Sequence, residues 1–160
     1  MRALTESEIR ASFINCTKGE ARRLPVPRDL AERPWDDLDF LGWRDLGAPE
    51  RAYLVADHGG RLVGVALRLT ATNRGMRRSM CSLCLTTHTG DGVALMTARR
   101  PRSDGDSVGG YFCTDLACSL HIRAHRNPSP DDHYKDPVTV EEKITRTTGK
   151  LKAFLDQLQP

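Results

Sequence analysis

The sequence predicts an α+β fold in which an antiparallel sheet is flanked by helices. Three observations lead to this prediction: apolar runs form two hairpin patterns, two capping boxes mark helix starts, and two close cysteine pairs bracket the second hairpin. A chain of 160 residues can bury a core of its own. We therefore expect a single domain over residues 1–160.

The first helix signal lies close to the N-terminus. Thr5 and Glu8 form a capping box, and Leu4 and Ile9 have the spacing of a hydrophobic staple. Apolar residues then continue at helical spacing as far as Cys16. We expect Cys16 to lie on the apolar face of this helix and to pack in the core.

The segment after this helix is rich in proline and then in aromatic residues. Residues 24–34 contain three prolines, which predicts an extended connector. The next stretch, WDDLDFLGW, holds both tryptophans among acidic residues. Two interpretations stay open: an aromatic plug that anchors a loop onto the sheet, which we favour, and an exposed binding patch.

The middle of the chain predicts two hairpins. The runs AYLVAD and RLVGVALRL are joined by a loop of three residues, His58, Gly59 and Gly60, where glycine supplies the positive φ. The runs GVALMTARR and SVGGYF flank the turn-like stretch RPRSDGDS. Thr139 and Glu142 form a second capping box, which predicts a C-terminal helix over about residues 139–158.

Composition excludes several classes of protein. No apolar run approaches the roughly 20 residues that a membrane helix needs. Acidic residues stand where a secretory signal needs an apolar stretch, so we expect a cytoplasmic location. The net charge of +3 is too small to imply a polyanionic partner, although seven arginines and one acid lie between residues 68 and 102. In a reducing compartment, five cysteines favour a metal or a catalytic role over disulfides.

Four cysteines form two close pairs, Cys81-x-x-Cys84 and Cys113-x4-Cys118, with 28 residues between the pairs. Two pairs joined by a hairpin can approach one ion from two directions, as a tetrahedral thiolate site requires. A knuckle, a hairpin and a helix in this order form a treble clef. We therefore predict one structural zinc ion, held by the four cysteines, in a treble-clef zinc finger over about residues 76–126.

Alternatives to the four-cysteine site remain. His121 is an alternative fourth ligand, because Cys118-x-x-His121 spans one helical turn. A redox dithiol is disfavoured, because CSLC precedes a turn and a strand and does not begin a helix. The pair of histidines in HIRAH lacks the adjacent glutamate of a zincin. Other catalytic signatures are missing, and a four-thiolate zinc has no open position for water, so we expect no enzyme activity.

Several phrases of the sequence together resemble one protein family. FINCTKGEARRL, WDDLDFLGWRD, CSLC and YFCTDLACSLHIR resemble the treble-clef domain of elongation factor G-binding proteins, the FusB-type fusidic-acid resistance family, over roughly residues 5–158. By position, the two cysteine pairs resemble the family's four zinc ligands. The resemblance implies a zinc-stabilised domain that docks on elongation factor G and, in members that confer resistance, helps release the factor from ribosomes stalled by fusidic acid.

Two functional hypotheses follow. The first is a translation-factor adaptor. The two-domain resistance proteins carry a separate helical bundle before this domain, and we do not expect such a bundle here. We predict its docking surface from basic and aromatic residues of the zinc module: Arg77, Arg78, Arg99, Arg100, Tyr111 and Phe112. The second hypothesis is direct RNA or ribosome binding through the arginines, including Arg74, although the interleaved aromatic residues of single-strand binders are missing. The arginines would also offset the negative charge of four thiolates around zinc.

Overall fold

The computed structural model describes residues 1–70, 78–103, 105–126 and 137–159. Its seven strands are β1 (Phe40–Arg44), β2 (Arg51–His58), β3 (Arg61–Thr70), β4 (Arg78–Met80), β5 (Thr87–Thr89), β6 (Val93–Arg99) and β7 (Ser107–Cys113). A five-stranded antiparallel sheet has the order β1–β2–β3–β6–β7, and β4 pairs with β5 in a separate hairpin. The helices are α1 (Glu6–Ser12), α2 (Lys18–Arg23), α3 (Cys118–Ile122) and α4 (Val140–Asp156). The predicted α+β class is confirmed.

Strand β2 is buried on both faces of the sheet. Because side chains alternate along a strand, Ala52 and Leu54 belong to one apolar cluster, and Tyr53 and Val55 belong to the other. The first cluster also contains four of the cysteines and the buried face of α4. The second cluster packs residues of α1, α2 and the connector against the sheet.

The hairpin between β2 and β3 is tighter than the sequence predicts. His58 pairs with Arg61 across the strands, so the loop has two residues where three were expected. Both Gly59 and Gly60 have positive φ, at 62° and 79°. This is the backbone of a type I′ turn, whose twist matches that of the flanking strands.

The prediction that Cys16 lies on the apolar face of the first helix is wrong. The capping box of Thr5 and Glu8 starts α1 as expected, but the helix ends at Ser12. A second capping box, between Thr17 and Glu20, starts α2, which the sequence reading missed. Cys16 therefore lies in the loop between two short helices, half-buried against the second apolar cluster.

The tryptophans of WDDLDFLGW anchor the proline-rich connector. Trp43, in β1, stacks on Tyr53 with ring centroids 5.3 Å apart and donates its indole N–H to the Pro25 carbonyl over 2.7 Å. Trp35 donates its indole N–H to the Leu30 carbonyl over 2.8 Å. These contacts agree with the aromatic plug and not with an exposed patch.

Helices α3 and α4 contact each other, and α3 begins at Cys118. Thr139 and Glu142 form the predicted capping box at the start of α4. Helix α3 is shorter than the sequence suggests, and Arg123 just beyond it makes a bidentate ion pair with Asp39, at 2.7 and 2.9 Å. Of the helices in the described ranges, none combines the length and apolar composition that a membrane crossing requires.

Candidate metal centre

The first cysteine pair lies in the loop that joins β4 to β5. The Cys81 N–H donates to the Thr86 carbonyl, and the Leu85 N–H donates to the Cys81 carbonyl, each over 3.0 Å. Leu85 has a φ of 59°, which turns the chain sharply after Cys84. The Leu83 N–H points at the Cys81 Sγ over 3.4 Å. This tight turn presents both sulfur atoms to the same side.

The second pair is positioned by the end of a strand and the start of a helix. Cys113 is the last residue of β7, and Cys118 is the first residue of α3. Between them, the Leu116 N–H donates to the Cys113 carbonyl over 2.9 Å, and Leu116 has a φ of 53°. The Ser82 N–H of the first turn donates to the Tyr111 carbonyl over 2.6 Å, which fixes that turn against β7.

The four sulfur atoms form one compact buried group. Cys81 Sγ lies 3.8 Å from Cys118 Sγ, and Cys84 Sγ lies 3.5 Å from Cys113 Sγ. All four ligand atoms lie within 4.8 Å of one another, and all four residues are buried. A zinc–sulfur bond of about 2.3 Å gives a tetrahedron whose edges measure about 3.8 Å, which agrees with these separations.

Comparison with known proteins agrees with this geometry. The family model described as the FBP C-terminal treble-clef zinc-finger matches residues 8–158. The chain belongs to this family. Among solved structures, the fusidic acid resistance protein FusC is similar in fold, with a TM-score of 0.62 at 12% sequence identity. The match covers 99% of this chain and 60% of the FusC chain. No curated protein matches the chain.

The four cysteines of this treble clef fit a single structural zinc ion. Hydrogen bonding to Cys113 lowers the pKa of the Cys81 thiol, whereas hydrogen bonds that keep the proton on Cys118 raise the pKa of that thiol. Four sulfur atoms this close cannot all carry negative charge unless a cation offsets it. A zinc ion supplies that positive charge and favours the thiolate form of all four side chains.

His88 is part of the site, and the sequence reading missed it. Its Nε2 lies 3.2 Å from the Cys113 Sγ, and the side chain is buried. The sequence signal was weak, because His88 lies four residues beyond Cys84 in a short strand. Only the pairing of β4 with β5, which sets His88 opposite Ser79, places the ring beside the cysteines.

His121, the alternative fourth ligand, is engaged by other groups. Its Nε2 lies 3.1 Å from Asp115 Oδ2, and its Nδ1 lies 3.3 Å from the Arg126 carbonyl. Burial lowers the pKa of His121, but the Asp115 carboxylate outweighs burial and raises that pKa. Burial likewise raises the pKa of Asp115, yet hydrogen bonds from His121 and the Ala117 N–H hold it at about 2. Both ring nitrogens of His121 therefore face partners outside the cysteine group, so the geometry favours four cysteines over three cysteines and His121.

The structure separates the residues that were predicted as a partner surface. Phe112 is 2% exposed and packs edge-on against Phe154 with centroids 5.1 Å apart, so its predicted partner contact is wrong. Neighbouring strand residues face opposite sides, and Tyr111 is 37% exposed. Arg78 is exposed in β4. Arg74 and Arg77 lie outside the described residues.

Arg99 and Arg100 do not border the zinc site. Val93 pairs with Cys113 at the metal end of the hairpin, whereas Arg99 pairs with Ser107 at its other end. Six residues of strand separate the two ends, a distance of roughly 20 Å. The described arginines of the predicted docking surface therefore form two separate groups, with Arg78 near the metal site and Arg99 and Arg100 far from it.

One face of the β6–β7 hairpin stays open to solvent. Leu95 pairs with Tyr111 and Thr97 pairs with Gly109, so these residues share a face with Arg99. Within the described residues, the second apolar cluster takes no member from β6 or β7. We call this surface the open hairpin face and define it by five residues: Arg68, Leu95, Thr97, Arg99 and Tyr111. Arg68 belongs to it because it pairs with Thr97 across the strands.

A groove of about 750 Å³ continues from the open hairpin face toward α2. Its lining includes Cys16, Glu20, Arg23, Tyr53, Arg68 and Arg99. The groove mixes basic, acidic and aromatic side chains, which is typical of a surface that receives part of another macromolecule rather than an apolar ligand.

Proposed function

We propose that this chain is a zinc-braced adaptor that binds elongation factor G. The observation that carries the proposal is membership of the FBP C-terminal treble-clef zinc-finger family over residues 8–158. We propose Cys81, Cys84, Cys113 and Cys118 as the zinc ligands, because their sulfur atoms form the compact group described above. Through the factor, the chain acts at the ribosome and promotes release of a stalled factor.

The open hairpin face is the docking surface that we propose. Tyr111 supplies an aromatic anchor, and Leu95, directly opposite on β6, extends the apolar area beside it. Arg99 lies four residues further along β6 on the same face, about 13 Å away, and brings positive charge. An anchor with basic residues beside it suits an acidic partner surface, because the charges speed encounter and the apolar contact slows dissociation.

Titration calorimetry with purified, nuclease-treated elongation factor G tests this proposal. We expect both Tyr111→Ala and Arg99→Glu to weaken binding in the titration. In stopped-flow kinetics, Tyr111→Ala should act mainly through faster dissociation and Arg99→Glu mainly through slower association, and the effect of Arg99→Glu should shrink as salt rises. Matched controls lie on α4: Val140→Ala, which removes an equally exposed apolar side chain, and Lys150→Glu, which makes the same charge change. Absence of heat and of co-migration on gel filtration would contradict the proposal, as would equal losses in the controls.

RNA binding is the second candidate, and one observation favours it. Arg51 lies directly opposite Arg68, and Arg68 shares its face with Arg99, so three adjacent strands bring arginines to one side of the sheet. Like charges directly opposite each other are destabilising unless an anion offsets them, and here Glu50 does so only in part, at 3.9 Å from Arg51 in an exposed pair. A phosphate backbone would do so, and binding would then fall steeply with salt. Tight binding of ribosomal RNA at physiological salt, with no binding of the factor, would favour this candidate.

We also propose that the chain is not an enzyme. The four thiolates fill a tetrahedral zinc site, which leaves no position for water or substrate. Incubation of the zinc-loaded protein with disulfide and ester substrates should give no turnover. Catalytic turnover that is lost in Cys84→Ser would contradict this proposal.

A further inference from the structure

The environment of the four sulfur atoms is not symmetrical. Cys81 Sγ faces the backbone N–H of Leu83 at 3.4 Å. Cys113 Sγ instead faces an imidazole nitrogen, His88 Nε2, at 3.2 Å. The His88 side chain is 5% exposed, so solvent does not compete strongly for this contact. One thiolate of the site therefore has a buried side chain directly beside it.

The chemistry of a metal-bound thiolate fixes the direction of this contact. A thiolate that binds zinc has no proton, so its sulfur can only accept a hydrogen bond. The Nε2 of His88 must then carry the hydrogen and donate it to Cys113 Sγ. Such a bond spreads negative charge away from the sulfur atom and makes the thiolate a weaker nucleophile.

The His88 ring is held in the orientation that this bond needs. A Cβ atom at Gly92 would lie 2.5 Å from the His88 Cβ and 2.9 Å from its Nδ1, so only glycine lets the chain pass this close. On another side, the ring of His121 packs edge-on at a centroid distance of 4.9 Å. His121 is itself held by Asp115 at 3.1 Å. The ring is therefore positioned by packing and not only by its bond to sulfur.

We propose that His88 is a positioning residue of the zinc site, which donates a hydrogen bond from Nε2 to the Cys113 thiolate and protects that thiolate from attack and from loss of zinc. His88 is not itself a ligand in this proposal. The role does not depend on which macromolecule the chain binds.

Nuclear magnetic resonance of the ¹¹³Cd-substituted full chain tests the bond directly. We expect the Nε2 of His88 to carry a proton and this proton to show scalar coupling to ¹¹³Cd through the Cys113 sulfur. An unprotonated Nε2 that couples directly to cadmium would overturn the proposal by making His88 a ligand. A protonated Nε2 without coupling to the metal would overturn it as well.

Two variants at the same position separate hydrogen bonding from packing. In a Cys16→Ala background, His88→Phe keeps a ring but removes the donor, and we expect zinc affinity in chelator competition to fall about 10- to 100-fold. Alkylation mapped by mass spectrometry should then begin at Cys113. His88→Gln places an amide N–H near the position of Nε2 and should recover most of the affinity. If both variants lose zinc equally, or alkylation begins elsewhere, the proposal fails; if His88→Phe does not fold, the coupling measurement decides.

Discussion

The sulfur atoms of Cys113 and Cys16 have contrasting surroundings, although the two residues have the same chemistry. Cys113 is fully buried among three other sulfur atoms and His88, whereas Cys16 is half-buried in a loop beside apolar side chains. Burial raises the pKa of the Cys16 thiol, so less of it is thiolate than in a fully exposed cysteine, but the side chain still reaches solvent. These different surroundings explain why Cys113 is part of a metal centre, whereas Cys16 contributes only packing.

This contrast predicts different outcomes for two substitutions. Cys113→Ser should abolish stoichiometric zinc and lower the thermal midpoint strongly, because structural zinc contributes about 10 to 16 kcal/mol of apparent binding energy in small finger peptides. Cys16→Ala should keep one zinc per chain and cost about 1 kcal/mol through lost packing. Metal analysis and thermal unfolding check both variants. Full zinc retention in Cys113→Ser would show that this sulfur is not a ligand.

A second residue-level prediction concerns the ion pair that holds α3 to the start of β1. The Arg123 and Asp39 side chains are only 14% and 9% exposed, and the guanidinium binds the carboxylate through two nitrogen atoms. Arg123→Lys keeps the charge but loses the paired geometry, so we expect a loss of about 2 kcal/mol in denaturant unfolding. The matched control is Arg2→Lys at the exposed pair with Glu8, where solvent screens the charges and we expect a clearly smaller loss. Similar losses at the two sites would contradict the argument.

The secondary-structure elements differ in how strongly local sequence determines them. Helix α4 begins where Thr139 accepts a hydrogen bond from the Glu142 N–H and Glu142 bonds back to the Thr139 N–H. All these groups lie within the first helical turn of α4 and the residue before it. The start of α4 is therefore set by nearby residues, whereas its buried face, which includes Leu151 and Phe154, is set by the sheet.

The capping box gives a prediction for α4. Thr139→Ala should destabilise the protein by about 1 kcal/mol, because one orphan N–H at the helix start loses its acceptor. Thr145→Ala, at an exposed position within the same helix, should be neutral or slightly stabilising, because alanine has the higher helix propensity. Chemical denaturation of both variants checks this pair. Equal destabilisation would mean that the cap is not what supports the helix start.

The same distinction explains which features the sequence could predict. Capping boxes and the two cysteine pairs are local patterns, so the starts of α1 and α4 and the cluster of four cysteines were predictable. Phe112 and Tyr111 were harder, because the glycines in SVGGYF leave the alternation of that strand without a clear apolar side. The role of His88 depends on strand pairing between β4 and β5, and the separation of Arg78 from Arg99 depends on the length of the β6–β7 hairpin.

At the scale of the whole molecule, strand β7 connects the metal centre to the open hairpin face. This strand ends at Cys113, carries Tyr111 on its exposed side, and buries Phe112 against α4. The first cysteine turn is also bonded to β7 at the Tyr111 carbonyl. A metal ion bound by the four sulfur atoms would therefore hold the residue that we propose as the anchor for elongation factor G, and zinc removal should weaken docking together with stability.

Native mass spectrometry of the purified chain, combined with thiol alkylation, tests whether the four buried cysteines hold one zinc ion. We predict a folded chain that carries one zinc ion, in which Cys16 reacts with an alkylating reagent and Cys81, Cys84, Cys113 and Cys118 react only after chelation. A folded chain without metal, whose five thiols all react at once, would contradict it.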